Sequence, residues 1–436
     1  MEKPPLTPPS GSRDFLPREV RRREAVIGRI KSVFALHGYE PMDTPAFERL
    51  EVLAGKYGDE GDKLIFKILK RGEKAASGEA DMALRYDLTV PAVRLYAHRR
   101  GELPRVFKRF QIGPVWRADR PGKGRFREFY QCDVDVFGSA SPLADVDVIV
   151  AMSAALAAVG LPRFEIRLNS RRVLHAMMDS YGVAEADHGS ALIALDKIDK
   201  IGLDGVKAEL GGRGFDTAVV DALCRDIDRD DFETVLRERL AILETGRTGL
   251  AEVDAILEHA ASRLGEAVIR FDPVLARGLD YYTGAIYEFI TDGAGGSIAG
   301  GGRYDDLAGM FLKDSVPICG GSLGIERILL LLDAEADTNP APRAYVTVWD
   351  AASTDRSLDL ADTLRTAGIA AEVDLVGGKI GRQFKAADER DCRFTLVMGP
   401  DEQESGMVMI KDLTTGDQQA VPVDQAAKHI LKLLVN

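Results

Sequence analysis

Apolar residues recur at helical spacing near the start of the chain. Within residues 18–37, Ile27, Ile30 and Phe34 are three or four positions apart. This spacing places apolar side chains on one face of a helix, and Gly38 stands where such a helix typically ends. The pattern therefore predicts an amphipathic helix over residues 18–37.

Alternation of apolar and polar residues in 106–116 and 129–137 predicts two antiparallel strands joined by a loop. One face is apolar, as a sheet with a single buried side requires. The opposite face either offers a platform on which a flat ligand lies over Gly113 or is a solvent-facing surface with ion pairs. The residues of that face are Arg109, Gln111, Gly113 and Arg117 on the first strand and Gln131, Asp133 and Asp135 on the second.

The pattern changes in residues 171–264, where short charged helices predict a helical insertion. Strand patterns return at residues 268–271, 285–290 and 318–322. Beyond a linker that contains prolines, strands and helices alternate, which predicts a small α/β domain. The predicted organisation is a flexible N-terminus at 1–12, a main domain at 13–170 and 265–335, the insertion at 171–264 and a C-terminal domain at 341–436.

Composition narrows the class of protein. No apolar run approaches the roughly 18 residues that span a bilayer, so we predict no membrane association. The four cysteines stand far apart without a CxxC pair, which favours a reducing cytoplasm. The six histidines form no HxxxH pair, so we predict no protein-ligated metal.

Charge is distributed unevenly along the chain. The net charge is -12, yet residues 99–127 contain ten lysines and arginines against only Glu102 and Asp119. Part of this stretch is solvated surface, and the part in the loop between the two predicted strands suits phosphate binding, because arginine pairs with phosphate oxygens in a bidentate manner. A local basic surface also keeps a nucleic-acid partner open despite the acidic whole.

Three glycine-containing stretches are candidates for ligand contacts. Residues 277–284 combine an arginine, an aspartate, two tyrosines and two glycines, which suits either a pocket for a small polar ligand or a polar turn between strands. Residues 300–305 predict a glycine-rich turn, and residues 320–327 predict a strand–helix junction whose Arg327 faces a phosphate or forms a surface ion pair. No GxxxxGK[ST] or strand-linked GxGxxG motif occurs, which argues against a P-loop or dinucleotide fold.

These motifs together resemble the histidyl-tRNA synthetase family of class II aminoacyl-tRNA synthetases, from about residue 11 to the C-terminus. The stretch that ends at Thr44-Pro45 is similar to the first class motif, which forms a dimer interface. Residues 107–137 are similar to the second motif and residues 320–327 to the third.

The likeness to the histidine family comes from residues 277–282 and 301–304, which are similar to two motifs peculiar to that family. Residues 85–89 are similar to its amino-acid loop, before which we predict a strand at 82–86 and after which a helix with Thr89 as N-cap. Asp306 departs from the family, because many members have glycine there. The resemblance implies an α+β catalytic domain with a mixed, mainly antiparallel sheet flanked by helices, a helical insertion and a C-terminal α/β anticodon-binding domain.

The resemblance also implies roles for individual residues. Asp87 and Thr89 would hold the α-ammonium group of histidine, and Asp135 and Tyr282 would bind its imidazole ring. Arg117 and Arg277 would contact the α-phosphate of ATP from opposite sides and serve as the catalytic residues. The complete predicted set is Asp87, Leu88, Thr89, Gln131, Asp135, Tyr281 and Tyr282 for histidine; Arg117, Arg125, Arg327 and Glu326 for ATP; and Arg303 and Tyr304 for an additional part of the pocket.

The function that this resemblance implies is ATP-dependent ligation of L-histidine to histidine tRNA through a histidyl-adenylate. ATP with Mg²⁺ would be the nucleotide substrate, and the enzyme would be a cytoplasmic homodimer. One alternative is a catalytically silent paralogue that regulates histidine biosynthesis, which predicts loss of the arginine motifs and of the anticodon-binding domain. Another is an RNA-binding or sensor protein without catalysis, and the third is a class II enzyme for a different amino acid, which the tyrosine pair disfavours.

Overall fold

The computed structural model describes residues 4–55, 61–122, 124–276, 281–332 and 343–435. The chain divides into two compact units, Met1–Asp333 and Ala334–Asn436. Each unit has a sheet and a hydrophobic core of its own. The predicted boundaries within the first unit stay predictions.

Strands of the first unit form an eight-stranded and a three-stranded sheet. They are β1 (Glu40–Pro41), β2 (Phe47–Arg49), β3 (Lys67–Leu69), β4 (Ala80–Leu84), β5 (Phe107–Trp116), β6 (Glu128–Phe137), β7 (Glu165–Ser170), β8 (Val268–Phe271), β9 (Ala285–Ile290), β10 (Ala299–Arg303) and β11 (Ile318–Gly324). The larger sheet has the order β1-β5-β6-β11-β10-β9-β7-β8, and β2-β4-β3 form the smaller one. The outer pairs β1–β5 and β7–β8 are parallel, and the pairs between them are antiparallel. The predicted mixed, mainly antiparallel sheet is confirmed.

Helices flank this sheet and complete the core. They are α1 (Pro17–Leu36), α2 (Leu50–Leu53), α3 (Thr89–Arg99), α4 (Pro142–Ala158), α5 (Arg171–Ser180), α6 (His188–Leu195), α7 (Ile198–Gly212), α8 (Thr217–Ile227), α9 (Phe232–Leu240), α10 (Glu244–Ala261) and α11 (Ile325–Leu331). Helix α1 buries Val26, Ile30 and Phe34 completely, which confirms the predicted amphipathic helix to within one residue at each end. Helix α4 packs directly on the middle of the sheet, because a Cβ at Gly321 of β11 would lie 2.5 Å from the sulfur of Met152.

The helices α5 to α10 lie in the chain between β7 and β8, in the stretch for which the sequence predicts an insertion. Helices α5 and α10 cross closely, since a Cβ at Gly249 would lie 2.9 Å from the backbone nitrogen of Val173. Contact of this kind ties α10 back to the helix that follows β7. Whether residues 171–264 act as a separate domain stays a prediction.

The second unit is a small α/β structure. Its helices are α12 (Thr354–Thr366), α13 (Ile380–Glu389), α14 (Pro400–Ser405) and α15 (Ala426–Val435), and its strands are β12 (Arg343–Val346), β13 (Ala370–Val373), β14 (Phe394–Val397), β15 (Met407–Asp412) and β16 (Gln418–Pro422). The sheet order is β13-β12-β14-β15-β16. The predicted alternation accounts for the first three strands, whereas β15 and β16 form an additional antiparallel pair.

No helix within the described residues is both long enough and apolar enough to cross a bilayer.

Candidate active site

Polar side chains of the central strands face a cavity of about 150 Å³ in the first unit. This space suits a small polar metabolite, because a single water molecule needs roughly 10–15 Å³. The cavity is lined by Tyr86, Asp87, Thr89, Arg117, Gln131, Asp133, Asp135, Tyr281, Tyr282, Gly300, Tyr304, Gly320, Gly321 and Ser322. Eight of these belong to the predicted site: six residues predicted to bind histidine, Arg117, which is predicted for catalysis and ATP binding, and Tyr304, which is predicted for an additional part of the pocket.

The pairing of β5 with β6 places polar residues next to each other. Arg109 stands opposite Asp135, and Gln111 stands opposite Asp133. Since alternate residues of a strand face the same side, all four point to the polar face that the sequence predicts. Of the two alternatives for that face, the solvent-facing surface is wrong at these positions, because each of the four residues is at most 2% exposed.

Asp135 lines the cavity and contacts two neighbouring side chains. Its Oδ2 is 2.5 Å from Nη2 of Arg109, and its Oδ1 accepts a hydrogen bond from the Tyr304 hydroxyl. Burial raises the pKa of Asp135 to about 7, an effect that Arg109 opposes and that the nearby Asp133 adds to. The carboxyl group therefore changes charge near neutral pH, as functional carboxyl groups often do.

The glycine at position 320 makes room for this carboxylate. A Cβ there would lie 1.9 Å from Oδ1 of Asp135 and 2.7 Å from the carbonyl oxygen of Val134. The strand partner of Asp135 therefore has to lack a side chain. Gly302 of β10 makes room for the ring of Tyr282 in the same way, because a Cβ at Gly302 would lie 2.8 Å from that ring.

The turn predicted at residues 300–305 is therefore wrong. Residues 299–303 form strand β10, which pairs with β9 and β11 on both sides. At Gly301, a Cβ would lie 2.1 Å from the carbonyl oxygen of Gly320. The glycines allow close approach of backbone and aromatic rings, and they do not mark a change of chain direction.

The loop before α3 covers one side of the cavity. Asp87 Oδ1 accepts a hydrogen bond of 3.0 Å from the backbone nitrogen of Val90 in the first turn of α3. The predicted N-cap at Thr89 is wrong, because Thr89 is the first residue of the helix and Leu88 holds the N-cap position. The Thr89 hydroxyl instead donates to Oδ2 of Asp133 at 3.2 Å. Leu88 is fully buried, and its carbonyl oxygen accepts from Nη2 of Arg109 at 3.4 Å.

Asp133 lines the cavity, although the sequence pattern predicts only that it lies on the polar face and gives it no role in binding. It is 2% exposed, and burial raises its pKa, an effect that Arg109, Ser322 and Thr89 oppose. The signal was present in the sequence, because Asp133 lies between Gln131 and Asp135 in the same alternating series. Arg109 also lies in this alternating pattern and was not predicted as a site residue, although it forms an ion pair with Asp135.

Arg117 stands at the rim of the cavity. Its Nε donates to the carbonyl oxygen of Tyr86 at 3.1 Å, and its guanidinium carbon lies 4.3 Å from the centre of the Tyr86 ring and 5.2 Å from that of Phe129. Stacking of this kind holds the planar cation in one orientation. The remaining donors of the guanidinium group suit an anionic ligand at the rim.

Three tyrosines form an aromatic wall. The ring centres of Tyr281 and Tyr282 are 4.9 Å apart, and that of Tyr304 lies 5.7 Å from the first and 6.4 Å from the second. Tyrosine combines an apolar ring with a hydrogen-bonding hydroxyl. A wall of this composition suits a flat, polar ring.

Two models of known protein families match this chain. A family model described as histidyl-tRNA synthetase matches residues 11–328, and one described as an anticodon binding domain matches residues 343–433. The first match alone covers more than half of the chain. The chain belongs to the histidyl-tRNA synthetase family. The predicted family, fold and enzyme class are thereby confirmed.

Individual relatives agree with this family assignment. A histidine–tRNA ligase from Gloeobacter violaceus is 39% identical, with 96% of this chain and 97% of that protein covered. One from Leifsonia xyli subsp. xyli is 42% identical, with 85% and 90% covered. The crystal structure of histidyl-tRNA synthetase from Nostoc sp. PCC 7120 has a TM-score of 0.80 at 29% identity and covers 99% of this chain and 100% of its own.

Besides Leu88, four of the predicted residues that the structure describes lie outside the cavity lining of this synthetase. Arg125 is paired with Asp119, 3.0 Å away, and Nη1 of Arg327 donates to the carbonyl oxygen of Ser297. The other two are engaged with the protein. Arg303 is buried against Asp145 at 2.5 Å, and both oxygens of Glu326 accept from the backbone nitrogen of Tyr130 at 3.1 Å.

Two further predictions about this synthetase concern the ligand platform over Gly113 and the catalytic role of Arg277. The place over Gly113, where the sequence suggested a flat ligand, is taken by the guanidinium group of Arg85, since a Cβ at Gly113 would lie 2.6 Å from its Nη2. Arg277, the predicted catalytic arginine, lies outside the described residues. Its role therefore stays a prediction.

Within the part of the chain that the structure describes, no three histidine, cysteine, aspartate or glutamate side chains come together in a way that could hold a metal ion. The prediction that this synthetase has no protein-ligated metal stays a prediction.

Proposed function

We propose that this synthetase ligates L-histidine to the 3′ end of histidine tRNA in two steps. The carboxylate of histidine first attacks the α-phosphorus of ATP, which forms histidyl-adenylate and releases pyrophosphate. A hydroxyl of the terminal tRNA ribose then attacks the histidyl carbonyl, and AMP leaves. The observation that carries this proposal is the buried Arg109–Asp135–Tyr304 cluster at the end of a cavity in a histidyl-tRNA synthetase chain.

Histidine would enter the cavity with its imidazole ring innermost. Asp135 and Tyr282, with Tyr281 beside them, would bind the ring nitrogens, because a buried carboxylate and a phenol present acceptors and donors to a polar ring. Sites that hydrogen-bond a substrate group reject analogues that lack it by roughly 10⁴–10⁵. Asp87, Thr89 and Gln131 would hold the amino-acid backbone end, in line with the lining of the cavity.

ATP would bind beside the rim, with its α-phosphate near Arg117. Arg277 would face the same phosphate from the opposite side, and Arg125 and Arg327 would contact the terminal phosphates and the adenine end. A carboxylate is already ionised at neutral pH, so the first step needs no protein base. The arginines would act by positioning two anions and by stabilising the charge that grows on the α-phosphate.

Mg²⁺ would accompany ATP as part of the substrate, bound mainly by phosphate oxygens and water. Glu326 does not fit the role of a metal ligand, because both its oxygens already accept from Tyr130 and one lies 3.6 Å from Arg13. No step of the proposed reaction is therefore assigned to Glu326. Its contacts fit a residue that holds the start of β6 against α11.

We also propose that two copies of the chain form a homodimer. An open groove of about 980 Å³ next to Thr44 has apolar side chains in its wall, among them Phe47, which is 53% exposed. Exposed apolar surface of this kind marks interaction sites. The groove adjoins the stretch that resembles the dimer motif of the class, which supports this choice of partner.

Transfer RNA would contact both units. The second unit matches an anticodon binding domain, and Lys379, Arg382 and Lys385 lie near each other along its helix α13 and the preceding residue. Phosphate contacts by such residues give salt-dependent affinity. The helices in residues 171–264 would approach the acceptor arm, as the family resemblance implies.

The test of the proposed function is histidine-dependent exchange of labelled pyrophosphate into ATP, followed by charging of purified histidine tRNA. The proposal expects exchange with histidine and none with the other amino acids. Absence of exchange with every amino acid would favour the silent regulatory paralogue, and exchange with a different amino acid would favour another class II enzyme. Exchange without tRNA charging would contradict the second step alone.

A further inference from the structure

The β9–β10 loop, residues 291–298, packs along helix α11. The backbone nitrogen of Gly324, which precedes α11, donates to the carbonyl oxygen of Ile298 at 2.9 Å. At the other end of the helix, a Cβ at Gly293 would lie 3.7 Å from the side chain of Leu331. The loop follows a backbone path that residues with side chains rarely adopt, because three of its residues are glycines with positive φ, namely Gly293, Gly295 and Gly296.

Gly296 of this loop lies against the guanidinium group of Arg327. A Cβ at Gly296 would be 3.2 Å from Nη1, 3.5 Å from Cζ and 3.6 Å from Nη2 of Arg327. Because the three distances are similar, the glycine lies over the flat face of the guanidinium group and not at its edge. Nη1 also donates to the carbonyl oxygen of Ser297. The backbone of residues 296 and 297 therefore fixes both the plane and the direction of this cation.

The surroundings of Arg327 favour a planar ligand on its other face. The side chain is half-buried, and within the described part of the chain it has no carboxylate partner and no aromatic ring stacked on it. Arg117 differs in this respect, because its guanidinium group already stacks on Tyr86. A guanidinium group that backbone supports on one face can stack with a flat ring on the other.

Arg327 and Arg117 follow strands that end at the same edge of the large sheet. Strand β5 ends at Trp116, opposite the start of β6, and β11 ends at Gly324, opposite Gln131 of β6. Gln131 in turn lines the cavity. A nucleotide whose α-phosphate lies at Arg117 therefore has the Arg327 side of this edge for its base.

We propose that Gly296 is a positioning residue for the nucleotide base: it supports the guanidinium group of Arg327 so that the opposite face of this group stacks on the adenine ring of ATP. The inference rests on the proposed function, which assigns the adenine end to Arg327, and adds the residue that orients this arginine. A side chain at position 296 would push the guanidinium group out of its plane, because the end of a flexible side chain moves more easily than the backbone around it. Binding of the base is then weakened, and binding of the phosphates is not.

The experiment compares ATP with two inhibitors in histidine-dependent pyrophosphate exchange. In Gly296→Ala, the KM for ATP should rise by about 3- to 30-fold, the loss expected for a stacking contact between a cation and a π face. The inhibition constant of adenosine, which keeps the base and lacks the phosphates, should rise by the same factor. The inhibition constant of tripolyphosphate, which lacks the base, and the KM for histidine should stay within about two-fold of the wild-type values.

Three further variants separate positioning from backbone strain. Gly295→Ala is the matched control, because Gly295 also has a positive φ and a Cβ there meets nothing within 4 Å; its KM for ATP should be unchanged. Addition of Gly296→Ala to Arg327→Ala should not raise the KM for ATP further, because the cation that Gly296 positions is already gone. Arg327→Lys keeps the charge and loses the plane, so the same selective loss of adenosine is expected there, even if thermal denaturation shows that Gly296→Ala does not fold.

The outcomes separate this inference from the proposed function. If adenosine and tripolyphosphate weaken by the same factor, if neither weakens, or if Gly296→Ala has the same effect with and without Arg327, the inference is overturned. If the wild-type protein shows no histidine-dependent exchange, the proposed function fails first. Calorimetric titration of adenosine into the wild-type and Gly296→Ala proteins then decides the inference: weaker binding to the variant supports it, and equal affinities or no binding to the wild-type protein overturn it.

Discussion

Arg109 and Asp135 form an ion pair with 2.5 Å between Nη2 and Oδ2, and both side chains are buried. The pair forms because the two residues stand opposite each other in neighbouring antiparallel strands. Asp135 lines the cavity and accepts a hydrogen bond from Tyr304 of the aromatic wall, so its carboxylate is close to the space for a ligand. A buried carboxylate in such a place depends on its cation both for stability and for orientation.

Replacement of Arg109 should therefore destabilise the fold strongly. Arg109→Met leaves Asp135 buried without its partner, and removal of one member of a buried pair costs about 3–5 kcal/mol of unfolding free energy. Chemical denaturation of the variant measures this loss. Addition of Asp135→Asn should recover part of it, because the unpaired charge is then gone; strictly additive losses in the double variant would contradict the coupling.

Histidine binding should depend on pH through Asp135. Burial raises the pKa of this carboxyl group to about 7, so the group is charged above that pH and protonated below it. A protonated carboxyl no longer accepts from an imidazole N–H, so the KM for histidine should rise as the pH falls through 7, approaching about ten-fold per pH unit. Pyrophosphate exchange between pH 5.5 and 8.5 measures this change.

Two comparisons isolate that titration from the titration of histidine itself, whose ring has a pKa of roughly 6.5. Asp135→Asn removes the protein group and keeps the substrate group, so its KM for histidine should change less steeply with pH. The KM for ATP should stay flat in the same range. Equal slopes for the wild-type and variant proteins would show that Asp135 does not titrate there.

The sequence allowed the polar face of the site to be predicted but not its burial. Alternation along β5 and β6 identifies which side chains share a face, because that depends on neighbouring positions alone. What covers the face comes from residues 85–89 and 281–282, which are distant in the chain. A platform for a flat ligand over Gly113 was therefore predicted where Arg85 lies.

Glycines and helix caps were predicted less well for a related reason. The glycine run at 300–302 predicts a turn, although close approach of Gly320 to Gly301 and of Tyr282 to Gly302 is what requires glycine there. Close approach depends on distant residues, and local turn propensities do not contain it. The N-cap of α3 was predicted at Thr89, one residue from its position at Leu88, because both Asp87 and Thr89 are good capping types and only geometry decides which of them accepts from the first turn.

The glycine opposite Asp135 provides a direct test of packing at the site. In Gly320→Ala, the added methyl group meets Oδ1 of Asp135 at 1.9 Å, and overpacking of this kind typically costs about 1–3 kcal/mol. The displaced carboxylate should also raise the KM for histidine. Gly211→Ala in α7 is the matched control, because a Cβ there meets nothing within 4 Å, and it should stabilise the fold by about 0.4–1 kcal/mol.

Arg117 should contribute to the rate of adenylate formation. Its contacts with Tyr86 hold the cation at the rim, and loss of one donor that stabilises developing charge costs on the order of 10²–10³ in rate. We expect this loss for Arg117→Ala, and the same for Arg277→Ala, in pyrophosphate exchange without tRNA. Arg100→Ala, an exposed arginine in the same basic stretch, is the control and should exchange at the wild-type rate; wild-type exchange by Arg117→Ala would contradict the assignment.

The N-terminal residues should help to position the arginine-rich loop. The guanidinium carbon of Arg13 lies 3.5 Å from the centre of the Phe126 ring, and the carbonyl oxygen of Gly11 accepts from the backbone nitrogen of Arg127 at 2.7 Å. A cation–π contact of about 0.5–1 kcal/mol translates into a rise of about two- to five-fold in the KM for ATP for Arg13→Ala. The KM for histidine should not change, because the loop is proposed to bind phosphate. Arg163→Ala, an arginine that is 84% exposed, is the control, and a parallel rise of both KM values in Arg13→Ala would mean that Arg13 stabilises the fold without positioning the loop.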